Sequence, residues 1–344
     1  MSEKIPHSRF DTHGMTPKET LTAWYESIDV MFDARVNDVS GEAFQASIDA
    51  YMLGDLMLAS AHVGAQSYER SNLRIGRDGV DHYLLQFYLT GGVARRDNKG
   101  EINSTQPGDL WITDLAQPLS SLAARSDAIN LIIPRRLLSP SLEAPDIHSM
   151  RILSGQKPLV ALLRSHLQAL MEQAASMTIE DARAVISPTL GLAAAALNGC
   201  TDREETILGV ENALLNTICR HVKGALPNAD ITAEQVAGQF GISLRKLSYL
   251  FESFGGFASW LRRQRLALVR EALTDPVQRH RTIEEIAEAH CFSHKANLGR
   301  AFRALYGMTP GQVRALARER LAEAGIRDVD VRAGSEWRHW IAKM

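Results

Sequence analysis

Two stretches near the C-terminus carry one pattern: TAEQVAGQFGIS at residues 232–243 and TIEEIAEAHCFS at residues 282–293. Thr232 aligns with Thr282, Ala237 with Ala287 and Ser243 with Ser293 at constant spacing. The second copy then gains one residue, so Leu247 matches Leu298 and Phe251 matches Phe302. Each threonine reads as a helix N-cap, and Gln235 or Glu285 three residues on completes a capping box. Val236, Ala237 and Phe240 share a face of a short helix, and Gly241 suits the left-handed residue that ends it. Ser243 caps a second helix running to about Phe254, with Leu247, Leu250, Phe251 and Phe254 as its buried stripe. Arg245, Ser248 and Tyr249 are left on the opposite face. In the second copy Leu298, Phe302 and Leu305 form the stripe, and Lys295, Ala296, Gly299 and Arg300 face outward. Two helices meeting at a tight turn, the second with polar and basic groups outward, fit a DNA major groove. One such pair would read equally well as an ordinary helical hairpin; two with matching caps and stripes argue for paired helix-turn-helix units.

Charge supports this. Residues 228–320 hold fourteen Lys/Arg against nine Asp/Glu, a net of plus five, in a chain whose formal net charge is -2. A basic module on an otherwise acidic protein is expected where only that module meets phosphates.

The second copy continues as IAEAHCFSHKANLGRAFRALYGMTPGQVR, Ile286 to Arg314. It resembles the AraC/XylS family of bacterial transcription regulators. Ile286, Ala287, Phe292, Arg300, Phe302, Gly307, Thr309, Pro310 and Arg314 match that family's pattern. Cys291 stands where the family usually has Gly, Ala296 where it often has Ser, Leu298 for Phe and Val313 for an aromatic residue. Cys291 must therefore tolerate the turn conformation. The segment WLRRQRLALVREALTD, Trp260 to Asp275, resembles the family's rigid linker helix.

The chain's 344 residues imply two domains. The segment MSEKIPHSRFDTHG is polar and does not read as a secretory signal, and no run of about 18 apolar residues predicts a membrane span. Cys200, Cys219 and Cys291 are unclustered and suggest neither a disulfide framework nor a zinc site, so a cytoplasmic location is expected.

Residues 1–17 read as a flexible arm, and Thr20 to Phe32 as an amphipathic helix with Leu21, Trp24, Ile28 and Met31 on one face. From Ile48 to Pro134 the pattern turns to strands. Leu56–Val63, Asp81–Leu89, a hairpin through Asn98-Lys99-Gly100, Leu110–Asp114 and Ala128–Pro134 predict a β-barrel or sandwich. Arg70, DHYLLQFYLTG, PGDLWITD (Pro107 to Asp114) and IIPRRLL (Ile132 to Leu138) resemble the cupin-like sensor domain attached to many AraC-type regulators. The histidine–glutamate cluster of metal-holding cupins is missing: His82 stands alone on its strand. Neither a metal nor a cofactor is expected.

A small barrel can enclose a ligand. Along the Asp81–Leu89 strand, Tyr83, Leu85, Phe87 and Leu89 are uniformly apolar or aromatic and are taken as the inner face. Arg70, Tyr83, Phe87 and Trp111 are the candidate effector contacts, with a structural ion pair for Arg70 and plain core for Trp111 as open alternatives. The segment from Arg135 to about Leu226 reads as helical. Its Pro158–Met177 stripe is either a dimer interface, as the resemblance implies, or core within one chain.

The expected fold is therefore α+β in two domains. The N-terminal domain is a cupin-like β-barrel with following helices (18–226). After a linker (227–230) comes an all-α double helix-turn-helix domain (231–324), its two motifs joined by a linker helix. The tail (325–344) carries Trp337 and Trp340, whose spacing suggests docking on a surface. The expected function is sequence-specific binding of double-stranded DNA by a non-enzymatic, ligand-responsive transcription activator that reads two successive major grooves. Arg245, Ser248 and Tyr249 would enter one groove and Lys295, Ala296, Gly299 and Arg300 the next. Arg262, Arg263, Arg279 and Arg281 would meet phosphates. The resemblance further implies RNA polymerase, a small-molecule effector and a second copy of the chain as partners. A cupin-type enzyme and a constitutive DNA-binding protein are the competing readings.

Overall fold

The computed structural model describes residues 3–36, 43–96, 102–199, 206–226, 231–292, 295–326 and 336–344. In chain order the elements are β1 (His7–Asp11), α1 (Pro17–Ile28), β2 (Asp33–Val36), β3 (Ala46–Leu53), β4 (Leu56–Val63), β5 (Gln66–Arg70), α2 (Asn72–Asp78), β6 (Tyr83–Thr90) and β7 (Val93–Arg96). Then follow β8 (Ile102–Ser104), β9 (Leu110–Asp114), β10 (Leu119–Ala123), β11 (Ser126–Ile133), α3 (Arg135–Leu138), β12 (Arg151–Leu153), α4 (Pro158–Gln173) and α5 (Ile179–Asn198). The helices α6 (Thr206–Gly224), α7 (Ala233–Gln239), α8 (Leu244–Leu250), α9 (Phe257–Thr274), α10 (Ile283–Ala289), α11 (Lys295–Tyr306), α12 (Pro310–Ile326) and α13 (Glu336–Lys343) complete the chain. They form two compact units. Met1–Ser71, Val80–Cys200 and Arg327–Met344 make a sheet unit; Asn72–Gly79 and Thr201–Ile326 make a helical unit.

The sheet unit contains two antiparallel sheets, ordered β1-β3-β4-β11-β6-β9-β12 and β2-β5-β10-β7-β8. They are two open sheets rather than the closed barrel expected. The strands at Leu56–Val63 and Leu110–Asp114 lie where the sequence places them. The arm does not: His7–Asp11 pairs with β3, His7 opposite Tyr51 and Asp11 opposite Ser47, because Phe10 finds a buried site against Trp24. The β7–β8 hairpin forms, with its turn outside the described residues. The stretch from Arg135 is not wholly helical, since Arg151–Leu153 pairs with β9.

One face of the larger sheet packs under α4 and α5, where Tyr83, Leu85 and Phe87 meet Val160, Leu163 and Leu167 in one core. Most of the α4 stripe is thus spent within the chain, and Leu162 is left 57% exposed. The other face looks toward the smaller sheet across Trp24, Met57, Leu84, Leu119 and Ile132. A partly buried ion cluster ties the two runs that carry the cupin resemblance: Arg135 binds both Asp114 and Asp146, with Asp114 fully buried. The adjacent carboxylates hold the Arg135 guanidinium firmly charged.

In the helical unit α9 belongs to two cores at once. Its Phe257, Trp260 and Leu261 pack with α6, α7 and α8. Its Leu266, Val269 and Leu273 pack with α10, α11 and Val313 of α12. Truncating a buried aromatic such as Trp260 typically costs about 3–5 kcal/mol, so the helix is held at both ends. The expected boundary at 227–230 lies outside the described residues. However, α6 joins the helical unit because Leu215, Ile218 and Val222 cover α7 and α8.

Candidate DNA-binding surface and ligand cavity

Both helix pairs are built by the same local bonds. Thr232 and Gln235 close a capping box on α7, and Thr282 and Glu285 close one on α10. The turns also coincide. The Ile242 amide donates to the Ala237 carbonyl at 2.9 Å, and the Phe292 amide to the Ala287 carbonyl at 2.9 Å. Gly241 and Cys291 occupy the same turn position, each at φ 63. A left-handed residue with a side chain costs about 1–2 kcal/mol, and Cys291 bears it, with its thiol 3.7 Å from the Leu226 carbonyl.

The second helices differ in form. Ser243 caps α8 through the Lys246 amide at 3.1 Å, and the helix ends at Leu250, with a 3-10 turn over Glu252–Phe254 in place of the continuous helix expected. α11 runs for 12 residues. Leu247, Leu250 and Phe251 are buried in the core of the first helix pair, Leu298 and Phe302 in that of the second. Arg245, Ser248 and Tyr249 are exposed, and the Lys246 ammonium lies 5.1 Å from the Tyr249 ring centre. Ala296 and Arg300 are exposed and Gly299 is half-buried; the Arg300 guanidinium donates to Asn297 Oδ1 at 2.6 Å. Lys295 opens α11. Among the arginines expected at phosphates, Arg262 and Arg279 are exposed. Arg263, also exposed, donates to the Phe254 carbonyl, and the half-buried Arg281 donates to the Glu285 carbonyl at 3.1 Å.

One element of the helical unit comes from far upstream. Ile75 of α2 is buried in the core of the second helix pair, the Arg270 guanidinium donates to its carbonyl at 3.3 Å, and Gly76 sits against Tyr306. No periodic signal announces so short a helix.

The sheet unit encloses a cavity of about 80 Å³ between its sheets, several times the ~10–15 Å³ one water needs. Of the four candidate effector residues, only Trp111 lines it. Tyr83 and Phe87 project to the opposite face of β6, under α4, while Leu84, Gln86 and Tyr88 face the cavity. The sequence reading of this strand is therefore reversed, because both faces of β6 are covered and apolar content does not mark the inner one. Arg70 is 1% exposed; its guanidinium donates to the carbonyls of Leu115, Met31 and Val80 at 2.6, 2.8 and 2.7 Å. These bonds pin three loops together and hold its guanidinium away from the cavity lining. Sequence reasoning missed Trp24, Tyr68 and Trp337 as cavity walls, since strand and helix patterns mark buried aromatics without saying what they surround. Burial pushes the Tyr68 and Tyr88 phenols up, so both are neutral donors at physiological pH.

Among the described residues no group of three or more His, Cys, Asp or Glu could hold a metal ion, and no helix is long and apolar enough to cross a membrane.

Comparison with known proteins agrees with both units. The AraC-binding-like domain profile matches residues 26–198, half of the chain, and a helix-turn-helix domain profile matches residues 236–316. The transcriptional activator NphR of a Rhodococcus species is 24% identical over 288 residues, covering 79% of this chain and 81% of that protein. The crystal structure of the AraC-like transcriptional activator CuxR superposes with a TM-score of 0.51 at 25% identity, covering 76% of this chain and 94% of that one. With duplicated helix-turn-helix units following an AraC-type sheet domain, the chain belongs to the AraC family and is a DNA-binding transcription regulator.

Proposed function

We propose that this protein is a ligand-responsive, non-enzymatic transcription activator that reads two successive major-groove faces on one side of DNA. The observation that carries this is the repeated helix pair, with one turn geometry and an exposed arginine on each second helix. Successive groove faces recur about every 34 Å, and one linker helix shared by two cores suits that fixed spacing. Arg245 with Ser248 and Tyr249 reads one groove; Arg300 with Lys295, Ala296 and Gly299 reads the next. Each arginine is a bidentate partner for a guanine, worth about 1–3 kcal/mol of discrimination. Ala296 and Gly299 bring no hydrogen-bonding side chain, which leaves Arg300 and Lys295 to carry base reading there. Arg262 and Arg279 bind phosphates, as do Arg263 and Arg281 once their backbone bonds are shared.

Activation, and RNA polymerase as partner, rest on family membership and on relatives named as activators. The cavity between the sheets suits a small-molecule effector, which acts by favouring one conformation. Two copies of the chain pair in the cytoplasm, with exposed Leu162 of α4 at the contact. The test is a gel-shift titration on the cognate operator and on random DNA. Arg300→Ala is expected to weaken operator binding roughly tenfold or more while leaving random-DNA affinity nearly unchanged. Equal loss on both would remove Arg300 from base reading.

A further inference from the structure

The C-terminal helix α13 is part of the sheet unit, and it is anchored there at both ends. The Ser8 hydroxyl donates to Glu336 at 2.7 Å, and His82 Nε2 donates to the Ile341 carbonyl at 2.9 Å. Trp337 and Ile341 are each 1% exposed, packed in the core that contains Trp24 and Met31. Trp337 also lines the cavity between the sheets.

Three tryptophans line that cavity, and their indole N–H groups are not equivalent. Trp24 Nε1 donates to Gln66 Oε1 at 2.8 Å. Trp111 Nε1 donates to Thr113 Oγ1 at 3.0 Å. Trp337 Nε1 is buried and, among the described residues, has no hydrogen-bond partner. A buried unsatisfied donor costs about 1–3 kcal/mol; the Trp337 N–H has almost no accessible surface of its own, and a small rotation of the indole toward the cavity it lines would let an acceptor from outside the chain satisfy it. Among the described residues, none that lines the cavity is Asp, Glu, Lys, Arg or His. An ion would therefore lose its hydration with no opposite charge to replace it. The walls combine aromatic rings and aliphatic side chains with the uncharged polar Gln86, Thr113, Ser121, Ser126 and Asn130, and Met31 and Met57 can adapt to an aromatic ring.

We propose that α13 forms part of the effector site and that the Trp337 indole N–H donates a hydrogen bond to the acceptor atom of a neutral aromatic molecule held between the sheets. This rests on the effector reading of the cavity given above. It also gives the tail a role: the ligand touches the segment of chain that follows α12.

The test uses the full chain and four one-ring probes in isothermal titration: acetophenone, its acceptor-free analogue ethylbenzene, benzoate and benzylamine. The wild type should bind acetophenone about fivefold more tightly than ethylbenzene, the worth of one hydrogen bond, and both more tightly than the charged pair. Trp337→Phe, which keeps an aromatic ring and removes the N–H, should erase the acetophenone preference, so that the two neutral probes bind equally whatever the change in their absolute affinities. In wild type labelled with ¹⁵N-tryptophan, the Trp337 indole signal should move downfield with acetophenone and not with ethylbenzene, a readout that holds even if the variant folds poorly. If the wild type binds both neutral probes equally, or Trp337→Phe retains the preference, the Trp337 assignment is overturned while the cavity remains an effector site. Tightest binding of benzoate or benzylamine overturns the ligand class. If no probe binds at millimolar concentration, the effector reading of the cavity falls, and this proposal with it.

Discussion

At the scale of single residues, the two turns offer an internal control. Gly241 and Cys291 share φ 63, yet only glycine adopts that conformation without a steric cost. Cys291→Gly is therefore expected to stabilise the helical unit by about 0.5–1 kcal/mol. The relieved strain is partly offset by the extra freedom of glycine in the unfolded chain and by loss of the weak thiol contact to Leu226. Chemical denaturation monitored in that unit checks the sign; a destabilised variant would mean the thiol contact outweighs the strain. The departure at Cys291 was legible in the sequence because its partner copy supplied the expected residue. Arg70 had no such partner. Its pairing with three carbonyls depends on loops at Met31, Val80 and Leu115, which no local pattern brings together.

At the scale of elements, α2 is the informative case. It lies in the sequence between β5 and β6 of the sheet unit, yet it packs in the helical unit against α11. Gly76 makes this possible, since a Cβ there would stand 2.6 Å from Tyr306 Cβ. Gly76→Ala is expected to cost about 1–3 kcal/mol through overpacking, although alanine is intrinsically the better helix former. The measurement is thermal or urea unfolding together with hydrogen exchange of α11. Unchanged protection of α11 would mean that α2 merely rests on that helix. Strand β6 shows the other limit of element-level reading. Period-2 alternation assigns a strand's two faces but names the inner one only when the other is wet; here α4 covers one face and the second sheet the other.

At the scale of the whole molecule, acid should unfold the sheet unit early. His148 is 2% exposed, and burial, with Arg151 and Arg135 nearby and Asp146 opposing them, pushes its imidazole down to about 3. Arg151 donates to its Nδ1 at 3.2 Å, so the ring is held neutral. The folded state then binds fewer protons than the unfolded chain, whose histidine titrates near the ordinary ~6.5. The stability contributed is complete above that value and is lost as pH falls from there toward 3, amounting to about 2 kcal/mol at pH 5. Burial lowers His82 as well, against the hydrogen bond to Ile341, and so acts in the same direction. Urea titrations between pH 7 and 5 should show this loss in wild type and a shallower slope in His148→Gln. An identical slope in the variant would assign the acid sensitivity elsewhere.

The sequence alone determined the DNA-binding half: its caps, turns and apolar spacing are signals a few residues long, each repeated, and local hydrogen bonds enforce them before any long-range contact forms. It also placed the main strands and named the family. Only the tertiary structure decided which face of β6 meets the cavity, what Arg70 holds, and that α2 and α13 are each built into a unit away from their neighbours in sequence. Those outcomes depend on which covered surfaces meet, and a buried side chain carries no mark of the partner that buries it.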